Sequence, residues 1–204
     1  MNSELTFRIS TGILIATLAT VRFRFIGWAV TGLPKAVRKI SSEQVDKVWF
    51  RALWFIGWLW VLVPIVYVLA PRWLTWSAME IPIFLRWVGV GLGLISIIFL
   101  AWAHWTLGEN WNVPGVVEAQ QVLITDGPYR WFRHPMYTSF GLIALAYWLI
   151  STNWFIALIG LFYWIVVVSK VKTEEAVLIE KFGDAYREYM KCTGRFLPRV
   201  FSGG

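Results

Sequence analysis

The chain has 204 residues, of which 58% are hydrophobic types and only 15% are charged, with a formal net charge of +7. A soluble domain carries about 25% charged residues. The balance therefore excludes a soluble globular enzyme, a disordered chain and a disulfide scaffold, and points to an integral membrane protein. The single cysteine, Cys192, excludes an internal disulfide and a cysteine-only metal site.

Five apolar stretches follow in chain order: residues 5–21, 48–69, 83–105, 136–150 and 154–169. The first has no clean cleavable apolar core behind a short basic region, so it reads as a retained helix. The fourth is short, about 22 Å as a helix against a hydrocarbon core of about 30 Å. A tight turn at Ser151-Thr152-Asn153 predicts a helical hairpin between the fourth and fifth. The segment after residue 170 reads as a cytoplasmic helix over 173–190, ended by Gly194 and Pro198. The expected fold is thus all-α, with about five transmembrane helices, a C-terminal hairpin and a C-terminal cytoplasmic helix.

Charge sets the expected orientation. Arg22, Arg24, Lys35, Arg38, Lys39, Lys47 and Arg51 are read as the connection between spans one and two. Arg130 and Arg133 precede span four, and seven more Lys and Arg follow Lys170, inclusive. Five spans put these sixteen basic residues on one side and only Arg8, Arg72 and Arg86 on the other. The positive-inside rule then places the N-terminus outside and the C-terminus in the cytoplasm. The 15 Trp, 7 Tyr and 14 Phe suit a chain bordered by headgroups. With no arginine-rich arm, the basic balance needs no nucleic acid to explain it.

Gly89-Val90-Gly91-Leu92-Gly93 resembles a nucleotide-binding turn but lies within an apolar span, with no strand before it. Gly89 and Gly93 share a helix face and are expected to admit a neighbouring helix. Arg86 and His104, near opposite ends of span three, are expected to snorkel to the interfaces, with His104 a candidate to face a site.

The densest polar constellation is Gly127-Pro128-Tyr129-Arg130-Trp131-Phe132-Arg133-His134-Pro135-Met136-Tyr137. Pro135 suits the first position of a helix and keeps His134 out of helical geometry. Tyr137 falls on roughly the same face as His134. These residues are either an interfacial anchor of Arg, Trp and Tyr or an anion-tolerant site at a helix start. Lys170 and Glu174, four apart, share a face at the exit of span five. The hairpin brings that exit beside His134.

Together, Leu123-Ile124-Thr125-Asp126-Gly127-Pro128-Tyr129, Arg133-His134-Pro135-Met136-Tyr137, Glu174-Glu175 and Phe182-Gly183-Asp184-Ala185-Tyr186 with Tyr189 resemble the isoprenylcysteine carboxyl methyltransferases. The likeness is greatest to the small prokaryotic members, relatives of the phospholipid methyltransferases. Specific motifs cover about residues 105–200, and over 1–104 only the pattern of spans matches. The resemblance implies a membrane-helical N-terminal part, 1–104, and a methyltransferase core, 105–204. It implies S-adenosylmethionine as methyl donor, contacting Gln121, Val122, Leu123, Ile124, Tyr129, His134, Pro135, Met136, Tyr137 and Glu174. It also implies a lipophilic acceptor, a prenylcysteine-like or isoprenoid carboxylate, and a prokaryotic plasma membrane. In the eukaryotic members an arginine stands where this chain has Lys170. Lysine keeps the charge but loses the bidentate fork.

On that reading Lys170 orients the acceptor carboxylate, His134 hydrogen-bonds the donor and Glu174 receives its amino group. Tyr129, Tyr137 or Trp131 offers a ring face to the sulfonium. A carboxylate is ionised at neutral pH and needs no general base, so His134 would act as a base only for an amine or thiol. Two other readings share the scaffold. An NADPH-dependent sterol or isoprenoid reductase would need cations for the cofactor phosphates, and residues 106–129 contain none. The other is a non-enzymatic membrane protein.

Overall fold

The computed structural model describes residues 3–32, 47–110 and 121–199. Lys35, Arg38 and Lys39, and residues 111–120 of the third connection, lie outside the described residues. The described helices are α1 (Ser3–Gly32), α2 (Lys47–Leu69), α3 (Ile83–Leu107), α4 (Pro135–Ser151), α5 (Trp154–Val168), α6 (Val171–Phe182) and α7 (Asp184–Cys192). Short 3-10 turns occupy Pro71–Ser77, Gly108–Asn110 and Gly127–Arg130. Apolar runs long enough to cross a membrane lie at Ser3–Arg24, Arg51–Leu69, Ile83–Leu107 and Trp154–Phe182, and α4 is a shorter apolar helix. The protein is therefore an all-α, multi-pass membrane protein with five bundle helices, α1 to α5.

The short span is the centre of the bundle. α4 packs against α1, α2, α3 and α5. Its 17 residues reach about 25 Å. Pro135, Met136, Ser139, Phe140, Ile143, Ala144, Ala146, Tyr147, Ile150 and Ser151 are buried and fill one half of the helix, while Leu145 on the opposite face is 39% exposed. The outer helices instead bury one stripe and give large side chains such as Trp54, Phe84 and Ile98 to the surroundings. On α1 the buried stripe is Phe7, Thr11, Leu14 and Leu18, at helical spacing. On α3 it is Gly89, Gly93, Ser96, Ile97, Leu100, Ala103 and His104.

The two glycines of that stripe are contact points, as their spacing predicts. A Cβ on Gly89 would lie 2.8 Å from the Leu149 Cβ and 3.1 Å from the Ile150 backbone nitrogen. One on Gly93 would lie 2.7 Å from Leu14 Cδ1. Gly91, between them, faces open space.

The end of the bundle away from the His-Pro motif is locked by polar contacts. Arg86 donates to the Ile150 carbonyl at 2.9 Å, to Glu4 Oε2 at 2.8 Å and to the Tyr67 hydroxyl at 3.0 Å, so one side chain joins four helices. Snorkelling is thus the wrong account of Arg86, because Glu4 brings a carboxylate to it inside the fold. The hairpin forms as expected. Thr152 takes the left-handed conformation (φ 50°), and the Asn153 side chain caps α5 by accepting from the Phe155 and Ile156 N–H groups. Asn153 also donates to the Leu74 carbonyl, tying the hairpin to the Pro71–Ser77 turn.

Two further expectations are corrected. Arg22 and Arg24 lie on α1, not in a connection, because nothing breaks the helix before Gly32. The tail is two helices, not one. Gly183 (φ 57°, ψ −128°) sits in a backbone region open only to glycine and separates α6 from α7.

Gly89→Ala should destabilise the detergent-solubilised protein by about 1–3 kcal/mol, the usual cost of overpacking. Gly91→Ala should be neutral or slightly stabilising. Thermal unfolding of the two variants in the same detergent checks the pair.

Candidate functional site

The site forms where the His-Pro motif meets α6. Pro135 opens α4, and His134 before it adopts a non-helical backbone (φ −126°, ψ 62°). This leaves the imidazole at the mouth of the central helix. Tyr137 stacks on it, with ring centroids 5.3 Å apart and planes within 2° of parallel. The Tyr137 hydroxyl donates to Glu174 Oε2 at 2.9 Å, and His134 Nδ1 lies 3.8 Å from the same oxygen. Glu174 Oε1 takes no hydrogen bond from the described residues, and the side chain is 25% exposed. From behind, the Trp164 indole donates to the Tyr137 carbonyl at 3.0 Å.

Glu175 turns the other way, as adjacent helical residues do (about 100° apart). Its carboxylate is 4% exposed and accepts from Arg133 Nε at 2.9 Å and Arg195 Nε at 3.1 Å, while His134 Nε2 stands 3.4 Å away. The hydrogen bond to Glu175 raises the Arg195 guanidinium above its ordinary value. Arg133 also donates to the Met190 carbonyl at 3.2 Å and to the Thr193 carbonyl. Backbone pairing continues the junction. Arg133 N–H meets the Gly194 carbonyl at 2.8 Å, and His134 N–H meets the Arg195 carbonyl at 3.1 Å. Gly194 is required, because a Cβ there would collide with the Leu197 carbonyl. The chain after α7 therefore straps the motif, and Phe196 lies 6.1 Å from the His134 ring.

Tyr189 on α7 fixes the turn before the motif, donating to the Tyr129 carbonyl at 2.7 Å. Burial pushes the phenols of Tyr129 and Tyr189 well above their ordinary value, so both stay neutral.

The structure brings three of the expected site residues together: His134, Tyr137 and Glu174. Pro135 and Met136 are buried at the start of α4, and Tyr129 is buried in the adjoining turn. Ile124 packs on the core. Leu123 beside it is partly buried. Gln121 and Val122 belong to a different local contact, donating to the carbonyl and side-chain oxygen of Asn110 at 3.2 and 2.8 Å. Lys170 keeps its backbone link to Glu174, whose N–H donates to its carbonyl at 2.9 Å. Its ammonium, however, lies over the Trp49 ring of α2 at 5.9 Å. Arg133, Glu175, Arg195 and Tyr189 build the site without having been given roles from sequence. Arg133 and Glu175 were visible within the motifs, whereas Arg195 carries no local signal.

Arg22 was also overlooked. It lies four residues beyond Leu18 on the inward stripe of α1, and that spacing is the signal that finds it. Its Nη1 donates to His104 Nε2 at 3.3 Å, and its guanidinium stands 5.3 Å from the Phe140 ring centre. Tyr137 and Tyr163 are its electrostatic neighbours.

The segment that carries the His-Pro motif is similar to known proteins. Residues 89–180 match the model of the isoprenylcysteine carboxyl methyltransferase (ICMT) family. That stretch holds the glycine stripe, the His-Pro motif, the hairpin and both glutamates. Over it, the chain is similar to this family. The protein-S-isoprenylcysteine O-methyltransferase of Xenopus laevis is 33% identical over 128 residues, which cover 57% of this chain and 42% of the relative. The Homo sapiens enzyme of the same name is 32% identical over 128 residues, covering 57% and 43%. The chain thus spans less than half the length of these relatives. The solved structure of a eukaryotic intramembrane Ras methyltransferase ICMT shares the fold, with a TM-score of 0.53 at 19% identity, covering 90% of this chain and 60% of that one.

Glu175→Gln removes the charge that two guanidiniums share. The expected loss is about 3–5 kcal/mol, the cost of leaving buried charge unmatched. Thermal unfolding measures it, and limited proteolysis should cut the strap after residue 193 in the variant before any site in the bundle.

Proposed function

We propose that this protein is an S-adenosylmethionine-dependent methyltransferase acting on a lipophilic acceptor, the carboxylate of a prenylcysteine-like or isoprenoid molecule. The observation that carries this reading is the His134–Tyr137–Glu174 cluster at the mouth of α4, inside the family segment. The residues suit the donor. Glu174 offers an open oxygen to an ammonium group, where a charge-assisted hydrogen bond is strong. The flat pair of His134 and Tyr137 offers ring surface and, at Tyr137, a face for a sulfonium, worth about 0.5–2 kcal/mol.

S-adenosylmethionine, when bound, supplies a methyl group whose S–C bond breaks as a C–O bond to the acceptor forms, leaving a thioether and a methyl ester with no proton moved. The work of the protein's own residues is positional. Tyr137 holds Glu174 in one rotamer. Glu175, through His134 and Arg133, holds the imidazole against Tyr137. The strap at Phe196 narrows access to water from that side. His134 acts here as a hydrogen-bonding and stacking group, since an ionised carboxylate needs no base.

The membrane setting supports the acceptor class. A long apolar chain partitions into lipid, and a bundle in lipid lets it approach from the side. The charge asymmetry supports an orientation with the site end in the cytoplasm, where the polar donor is found. We take residues 105–204 as the catalytic core and 1–104 as its membrane support. The family match and the named relatives are methyltransferases, so the reductase reading has no support.

Calorimetric titration of the detergent-purified full chain tests the reading. Micromolar binding of S-adenosylhomocysteine is expected, and NADPH should not bind. Glu174→Gln should weaken that binding by about 10–100-fold, the value of a hydrogen bond to a charged group. His134→Ala should weaken it as well. A folded wild type that binds S-adenosylhomocysteine no better than NADPH overturns the proposal, as does a His134→Ala variant with unchanged binding and turnover.

A further inference from the structure

Arg22 is a guanidinium without a carboxylate. Among the described residues no Asp or Glu stands within ion-pair distance of it, and its hydrogen-bond partner is the His104 ring nitrogen. Arginine only donates, so His104 Nε2 accepts and leaves the positive charge unmatched. Arg86 is matched by Glu4, and Arg133 and Arg195 by Glu175, while Arg8 on the same helix gives its guanidinium to the Val68 carbonyl. Arg22 also sits within the apolar run Ser3–Arg24 of α1. A cation at membrane depth is costly, and such residues mark paths for charged ligands.

Its place in the site is specific. Tyr137, which hydrogen-bonds Glu174, lies one turn before Phe140 on α4. The cation and the anion thus both stand by the first turns of α4. Phe140, one turn further along α4, walls the guanidinium at 5.3 Å. An anionic group arriving here is flanked by aromatic surface and, beyond it, by the outer helices that face lipid.

We propose that Arg22 is the receptor for the acceptor's carboxylate and so sets acceptor specificity. This rests on the methyltransferase reading given above. Three features select Arg22 over Lys170. Its fork matches a carboxylate in two-point contact, which an ammonium does not. Its guanidinium lies 5.3 Å from the Phe140 ring centre on α4, whereas the Lys170 ammonium lies over Trp49. It also stands on α1, outside the family segment 89–180 that carries the donor cluster. The donor has a carboxylate of its own, so the experiment must separate the two sources.

The test uses full-length protein in detergent, with N-acetyl-S-farnesylcysteine and its carboxamide as probes and S-adenosylhomocysteine calorimetry as the check of fold and donor pocket. The wild type should methylate the carboxylate probe and bind it more tightly than the carboxamide. Arg22→Gln should raise the acceptor KM about 10–100-fold and abolish the preference for carboxylate over carboxamide. It should keep S-adenosylhomocysteine affinity within about threefold. Arg22→Lys should recover part of the preference, and Lys170→Gln should keep it. The inference is overturned if Arg22→Gln retains the preference, if it loses S-adenosylhomocysteine binding as well, or if Lys170→Gln carries the loss. A wild type that binds S-adenosylhomocysteine but neither binds nor methylates the carboxylate probe overturns the inference and leaves the donor pocket standing. A wild type that binds neither ligand overturns both.

Discussion

The carboxylate of Glu175 lies at the junction of three separate stretches of chain. Arg133 comes from the segment before α4, Arg195 from the strap after α7, and Glu175 itself from α6. Two guanidiniums converge on one buried anion, and His134 closes on its edge at 3.4 Å. A buried charge left alone would be prohibitively costly. Each of the three segments therefore needs the other two in place. The geometry of His134 follows from this, since its ring is held on one side by Glu175 and on the other by Tyr137.

The adjacent glutamates divide two tasks that one residue could not perform. Glu175 is saturated by its partners and acts as a structural bolt. Glu174, turned about 100° away, keeps one oxygen open and is partly exposed. The pairing is thus a bolt beside a ligand. The same logic separates the arginines. Arg133 and Arg195 are matched and structural, whereas Arg22 has no carboxylate partner among the described residues and lies by the Phe140 ring of α4.

The bundle supplies the frame on which this works. α4 is short, and it buries half of its surface against α1, α2, α3 and α5. Its N-terminal end carries the site and its C-terminal end is clamped by Arg86, Glu4 and Tyr67. Close approach of α3 at Gly89 and Gly93 sets where His104, further along the same stripe, meets Arg22 on α1. A packing contact near one end of the bundle thereby positions a charged contact near the other.

Much of this protein is local in its sequence. The membrane class, the apolar segments, the hairpin at Ser151-Thr152-Asn153 and the His134–Tyr137 face follow from hydropathy, from proline's fixed backbone and from helical spacing. Those properties act over a few residues and survive without knowledge of the partners. The break at Gly183 is not legible in the sequence, because a glycine within a helical pattern can be tolerated or can end the helix, and only its positive φ decides. The roles of the cations were decided by tertiary structure alone. Arg22 and His104 meet across 82 positions of sequence, and Arg133 and Glu175 across 42. Which charges find each other depends on how helices pack round α4, and no short window of residues carries that information.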